Sequence, residues 1–190
     1  YVKVGRFRNP FGLRLDDHTV ATRNAFLDFS TQQTFLPYDP RNPDMGIEYG
    51  LTHGSWYGRL ALTNGEANVF ANGYAETKSI KIGHNLPWYQ GGLSFYDSYS
   101  KTPLFNFIPP RKRATRWGYY GLTHRGPVSL IGEVAAGTDE AAPAFGFASG
   151  PKTNLLAYFA EVDYAPKRFV NFRVRYDRLT GRWFVVIINV

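Results

Sequence analysis

The chain is organised by an alternation of apolar and polar side chains, which is clearest in the second quarter of the sequence. Apolar residues occupy every second position over Met45–Leu51, and they do so again over Trp56–Leu62 with only Gly58 interrupting the series. The positions between them are small or polar and include Glu48 and Arg59. Two period-2 segments joined by a short Gly-containing turn predict a β-hairpin with one apolar face and one polar face.

The same alternation returns along the chain, and the connections between the predicted strands differ in length in a regular way. Short connections are expected at 53–55, 87–90, 124–127 and 165–168. Long connections are expected at 65–76, 99–113 and 137–152. A meander with short turns at one end and long loops at the other is typical of bacterial outer-membrane barrels.

We therefore predict an all-β fold, an antiparallel transmembrane β-barrel that occupies residues 1–190 as a single domain. Residues 8–44 must then form one long excursion at the long-loop end, and its folding into the lumen is one arrangement that we consider. No run approaches the ~18 apolar residues of a spanning helix, whereas a spanning strand needs only ~9–11 residues with one apolar face. Residues 183–190 are apolar on both faces, so the sequence leaves open whether the barrel is complete or part of a larger one.

Charged residues recur at mid-strand positions of the polar faces, where the core of a soluble protein would reject them. The candidates for the wall of a water-filled pore are Glu48, Arg59, Lys81, Glu133, Glu161, Asp163, Arg173 and Arg175, with Asp177 on the same face. In a hydrated lumen such groups keep their water while the alternate residues face lipid. A solvent-facing sheet in a soluble protein is the alternative. We expect the acidic pair at 161 and 163 to form cross-strand ion pairs with the basic pair at 173 and 175.

The excursion carries a second group of charges, which would line a constriction if the excursion enters the lumen. These residues are Arg14, Asp16, Asp17 and Arg23. The Asp16-Asp17-His18 sequence suggests a metal or acid–base site, but no second cluster has ligand spacing and the four histidines are scattered. No catalytic or nucleotide-binding motif is present. We therefore predict neither an enzyme nor a bound cofactor.

The net charge of +7 favours an anionic partner, which could be a solute, a lipid head group or nucleic acid. The basic run Arg111–Arg113 is too short for nucleic-acid binding. In a long outer loop we expect this run to contact anionic lipid or to attract anions. Nucleic acid is therefore not among the predicted partners.

Aromatic residues near the short turns are expected of an interfacial girdle. These residues are Trp56, Trp88, Tyr89, Tyr164 and Phe169. A chain with 17% aromatic residues also places some near every turn, so this pattern alone does not distinguish a membrane protein.

The segment Gly5-Arg6-Phe7-x-x-Pro10-Phe11-Gly12-Leu13 resembles the GRF-x-x-PFG segment of bacterial outer-membrane porins of the phosphate-selective (polyphosphate) type. In that family the segment leads from a strand into a pore-side loop. The resemblance covers roughly the first third of the chain and implies a location in the bacterial cell outer membrane. Barrels related to this type also form the sleeve of porin–cytochrome electron conduits. The chain lacks the terminal aromatic residue usual in such barrels, and the family's anion selectivity is not carried over.

The function expected from these observations is passive diffusion of small hydrophilic solutes through an outer-membrane channel. The cations Arg59, Lys81, Arg173 and Arg175 predict a weak preference for anionic solutes. One alternative is a barrel sleeve that houses a partner such as a multihaem cytochrome. Another is a soluble β-sandwich that binds carbohydrate through its aromatic residues. The partners expected for the channel are outer-membrane lipid and small solutes, and the sequence leaves open a homo-oligomer.

Overall fold

The computed structural model describes residues 1–13, 43–64, 77–99, 111–141, 152–179 and 182–189, which form one ten-stranded antiparallel sheet. The strands are β1 (Val2–Phe7), β2 (Asp44–His53), β3 (Trp56–Thr63), β4 (Thr77–Leu86), β5 (Tyr89–Tyr99), β6 (Arg111–Arg125), β7 (Val128–Ala141), β8 (Lys152–Lys167), β9 (Val170–Leu179) and β10 (Arg182–Asn189). Each strand pairs with its neighbours in the chain, so the order in the sheet is the order in the sequence. The predicted all-β antiparallel meander is confirmed.

The sheet is open in the part of the chain that the structure describes, since no ladder joins β1 to β10. The described strands also belong to one sheet, whereas a β-sandwich needs two packed sheets. Because the strands alternate in direction and number ten, β1 and β10 run antiparallel to each other. Among the described residues, no helix is long and apolar enough to cross a membrane.

The short turns contain two residues each, at 54–55, 87–88, 126–127 and 168–169. Gly54 and Gly126 adopt φ values of 58° and 59°, which residues with a side chain rarely adopt. The predicted turn at 165–168 is therefore misplaced, because β8 continues to Lys167. A register shift between Tyr164 and Lys167 accommodates one extra residue in β8.

Strands next to the predicted long loops extend further than the alternation pattern indicates. The basic run Arg111–Arg113, which we expected in a loop, lies at the start of β6, and Arg113 pairs with Asp97 through Nε and Oδ1 at 2.8 Å. The apolar stretch near the end of the chain forms β10, which pairs with β9 after a connection of two residues, 180–181. The alternation of short and long connections therefore stops at β9.

Successive short turns are displaced along the sheet in one direction. Trp56, the first residue of β3, pairs with His84 on β4. The β4–β5 hairpin ends two residues beyond His84, at the Leu86–Tyr89 pair. Tyr89 pairs in turn with Thr123 on β6, and the β6–β7 hairpin ends two residues beyond Thr123, at the Arg125–Val128 pair. The displacement is therefore about one residue per strand. If the short turns all lie at the same height, a displacement of one residue (~3.3 Å) for each strand spacing (~4.8 Å) corresponds to a strand tilt of about 35°.

The two faces of the sheet differ in burial, because one buries charged side chains together with small and aromatic ones and the other exposes apolar side chains. We call the face that carries Glu48, Lys81 and Glu133 the polar face, and these three side chains are buried. The other, apolar face exposes aliphatic and aromatic side chains from β1 to β9. Its exposed residues include Val4, Ile47, Leu51, Leu60, Ile82, Leu93, Trp117, Leu130, Leu156, Val162 and Val174.

A single polar row ends the apolar face on its long-loop side. The residues of this row pair with one another in register across β4 to β8, and they are Lys78, Asp97, Thr115, Thr138 and Asn154. The aromatic residues predicted near the short turns lie at the opposite end, and Trp56, Trp88 and Phe169 are exposed there. The apolar face is therefore a band with a polar edge on one side and aromatic residues on the other.

Candidate functional site

Side chains from non-adjacent strands meet across the polar face. The hydroxyls of Tyr57 on β3 and Tyr120 on β6 are 2.5 Å apart, because the two side chains extend toward each other over the two strands between them. Gly83 and Gly92 lie between the two tyrosines in register. A Cβ atom at either glycine would overlap a tyrosine ring or hydroxyl, so the close approach requires glycine.

A row of small residues on the polar face accommodates Phe11. Ser94, Gly118, Ala135 and Ala157 follow one another in register across β5 to β8. The ring of Phe11 packs over Gly118 and belongs to a buried cluster that includes both alanines. The chain after β1 therefore turns back onto the polar face.

Hydrogen bonds of Gly12 and Leu13 attach this returning segment, residues 9–13, to three strands. The Gly12 amide donates to Ser94 Oγ at 2.9 Å, and the Leu13 amide donates to Glu133 Oε2 at 2.8 Å. Lys81 Nζ donates to the carbonyl of Gly12. Gly12 has a φ of 55° and no room for a Cβ beside the Glu133 carboxylate, so this position also needs glycine. The first part of the predicted excursion thus covers the polar face, whereas Arg14, Asp16, Asp17 and Arg23 lie outside the described residues.

We expect Ser94→Ala to lower the free energy of unfolding by about 1–2 kcal/mol, because the buried Gly12 amide loses its acceptor. Urea unfolding gives the total effect, and hydrogen exchange should show faster exchange of the Gly12 amide. Ser129→Ala, on the same face and away from residues 9–13, is the control and should change stability by less than ~0.5 kcal/mol. Unchanged exchange at Gly12 would show that the hydrogen bond does not hold the segment.

The expected cross-strand ion pairs form on β8 and β9. Arg173 Nε lies 2.8 Å from Asp163 Oδ1 and 3.4 Å from Glu161 Oε1. Arg175 Nη1 lies 3.9 Å from Glu161 Oε2, and its Nε lies 2.7 Å from Asp177 Oδ2. The Arg175–Asp177 pair, which we call the inner pair, is fully buried, because both side chains are only 1% exposed. The series of alternating charges therefore runs from the exposed to the buried part of the polar face.

All eight residues predicted to line a pore lie on the polar face, but their exposure differs. The buried ones are Glu48, Lys81, Glu133, Glu161 and Arg175, and the half-buried ones are Arg59, Asp163 and Arg173. The Glu48 carboxylate accepts hydrogen bonds from the Tyr1 hydroxyl at 2.5 Å and from Lys3 Nζ at 3.1 Å. A role in lining a pore stays a prediction for all eight.

Sequence reasoning missed Arg116, which is 2% exposed on the polar face of β6. Its Nη1 donates to the carbonyls of Thr115 at 2.7 Å and Thr138 at 3.1 Å. The alternation within β6 carries the signal, because Arg116 falls two residues from both Ala114 and Gly118, which are also buried. Extending the polar positions through this strand would have included it.

Arg59 differs from the other cations of the polar face in its surroundings. Arg173 and Arg175 lie in ion pairs, and Lys81 bonds to the segment 9–13. Arg59 is half-buried, has no carboxylate within ion-pair distance among the described residues, and lies 6.0 Å from the Tyr57 ring. Among the four cations predicted to attract anions, Arg59 is therefore the one for which the described residues provide neither an ion pair nor a hydrogen bond.

No family model, curated protein or solved structure matches this chain. The resemblance of residues 5–13 to phosphate-selective porins accordingly stays a prediction. The functional inference depends on the geometry of the two faces.

Proposed function

We propose that the protein is an outer-membrane channel for passive diffusion of small hydrophilic solutes. The observation that carries this proposal is the burial pattern of the sheet, with ionisable side chains buried on the polar face and aliphatic side chains exposed on the apolar face. In water this arrangement leaves a large apolar surface without a partner. In a bilayer the same surface faces lipid, and the polar face borders a lumen.

The dimensions of the apolar band support a bilayer-spanning orientation. On β4 the polar edge residue Lys78 lies eight residues (86 − 78) before Leu86 at the short turn. Eight residues of a strand tilted by ~35° rise about 22 Å, which is close to the ~25 Å apolar band and the 35–45° tilt of bacterial outer-membrane barrels. Because β1 and β10 run antiparallel, these two strands could pair and close a barrel in which every strand pair is antiparallel.

The proposed mechanism is electrostatic and steric selection without chemistry. The buried charges of β8 and β9 neutralise one another, so they stiffen the wall more than they attract ions. Residues 9–13 cover part of the polar face and would narrow a lumen on that side. Arg59 then supplies the weak preference for small anions, because no carboxylate of the described residues forms an ion pair with it.

Conductance across a planar lipid bilayer tests the proposal. The purified protein should produce stepwise current increases, and a mock purification from cells without the gene serves as the control. Pure protein that inserts and gives no steps would refute the channel. A sleeve around a cytochrome would instead purify from membranes with haem absorbance, and a soluble protein would stay in the aqueous fraction without detergent.

We expect Arg59→Glu to shift the channel from weak anion preference to cation preference, because the substitution changes the local charge by two units. The reversal potential in a tenfold KCl gradient, where full selectivity corresponds to ~59 mV, should therefore change sign. Lys78→Glu makes the same charge change at the exposed edge of the apolar face and should shift the potential much less. Equal shifts in the two variants would mean that Arg59 does not face the permeating ion.

A further inference from the structure

The apolar face contains a groove of about 810 Å³ between β3 and β7. Two aromatic pairs form its walls, Trp56 against His84 with ring centroids 4.6 Å apart and Phe95 against Trp117 at 4.3 Å. None of the side chains lining the groove carries a carboxylate, an ammonium or a guanidinium group. The volume lies in the ~300–1,000 Å³ range of small-molecule sites.

Two glycines let an aromatic side chain lie flat along the edge of the groove. Gly91 lines the groove and pairs in register with Gly121 on β6. The Tyr89 side chain lies over both glycines, and its hydroxyl lies 3.3 Å from the Tyr119 hydroxyl. Backbone register and the contact between the two tyrosines therefore shape this part of the groove.

Polar groups occur at the end of the groove nearest the short turns. His84 and Tyr89 line this end, and Ser55, which lies beside the groove, places its Oγ 2.6 Å from His84 Nε2. The Tyr89 hydroxyl lies 3.3 Å from the hydroxyl of Tyr119, which also lines the groove. Away from this end the lining is aliphatic and aromatic, with Ile80, Leu93 and Val134. The site therefore matches an amphiphile, with neutral hydrogen-bonding groups at one end and apolar surface along the rest.

We infer that this groove binds one glycerophospholipid molecule, with an acyl chain along the groove and the ester and phosphate oxygens near Ser55, His84 and Tyr89. The inference rests on the proposed function, because lipid reaches the groove only if the apolar face lies in a bilayer. The groove is continuous with the apolar band, so lipid acyl chains would surround the groove in the proposed bilayer orientation. In bacterial outer-membrane barrels the short turns lie on the periplasmic side, where the leaflet consists of phospholipid.

Native mass spectrometry of protein extracted in mild detergent from dioleoylphosphatidylethanolamine bilayers tests this site. We expect the wild type to retain one phospholipid. Ala136→Trp fills the groove and should reduce the retained fraction about tenfold, which corresponds to ~1.4 kcal/mol. Val134→Trp is a second filling variant in case the first does not fold. Ala160→Trp is the matched control, because Ala160 is exposed on β8 and does not line the groove.

Two results would overturn the inference. One is a wild type without bound lipid, and the other is equal retention in the wild type, the filling variants and the control. A wild-type dimer that Ala136→Trp dissociates would instead identify a second copy as the occupant. Conductance of the same preparations separates the two proposals: channels without specific lipid refute the groove alone, whereas specific lipid without channels refutes the channel alone.

Discussion

Asp177→Ala is expected to lower the free energy of unfolding by about 3–5 kcal/mol, because it removes a carboxylate that forms an ion pair with a buried guanidinium. Arg175 and Asp177 are both 1% exposed, and their Nε–Oδ2 distance is 2.7 Å. Glu161 remains 3.9 Å from Arg175, which is too far for a hydrogen bond to replace the lost one. Urea unfolding of the reconstituted protein, followed by tryptophan fluorescence, measures the loss.

Asp163→Ala is the matched control for this prediction. It removes a carboxylate at a similar distance, 2.8 Å, from Arg173, whose side chain is 37% exposed. A solvated pair of this kind contributes ~0–1 kcal/mol. If the two substitutions lower the free energy of unfolding equally, burial does not determine the contribution of the inner pair. That result would contradict the burial of Arg175 and Asp177 on the polar face.

Leu60→Arg is expected to cost about 2–4 kcal/mol in the proposed bilayer, because Leu60 lies near the middle of the apolar band. The side chain is 43% exposed, so in a soluble sheet the arginine would meet water and change stability by less than ~0.5 kcal/mol. Unfolding in urea with lipid vesicles present distinguishes the two cases.

Met45→Arg provides the depth control for Leu60→Arg. Met45 is 50% exposed on the same face, but it lies at the start of β2, away from the short turn. An arginine near the membrane interface costs only ~0–1 kcal/mol. A large cost at residue 60 with a small cost at residue 45 indicates a bilayer, whereas two small costs would refute the membrane orientation of the sheet.

The strand faces were predictable because side-chain alternation is a local property of an extended backbone. Glu48 and Arg59 could be assigned to one face from their positions in the period-2 segments alone. The expected pairing of the charges at 161 and 163 with those at 173 and 175 followed from a single hairpin. The exact turn was less predictable, because the register shift in β8 contains Pro166, and proline occurs both in turns and at β-bulges.

The contacts that build the candidate site could not be derived in this way. Phe11 packs beside Ala135 and Ala157, and Leu13 bonds to Glu133, 120 positions away. The groove on the apolar face likewise depends on which residues of β3 to β7 fall side by side. Neither Gly91 nor His84 has a local pattern that indicates a binding site.

The sequence by itself determined the strand order, the polar and apolar faces and the separation of short from long connections, because each depends on residues close together in the chain. Tertiary structure alone decided the about one-residue stagger per strand, the return of residues 9–13 and the contact of Tyr57 with Tyr120. These features depend on strand register and on packing between residues that are distant in the sequence. Alternation assigns a residue to a face, whereas packing decides which residues meet there.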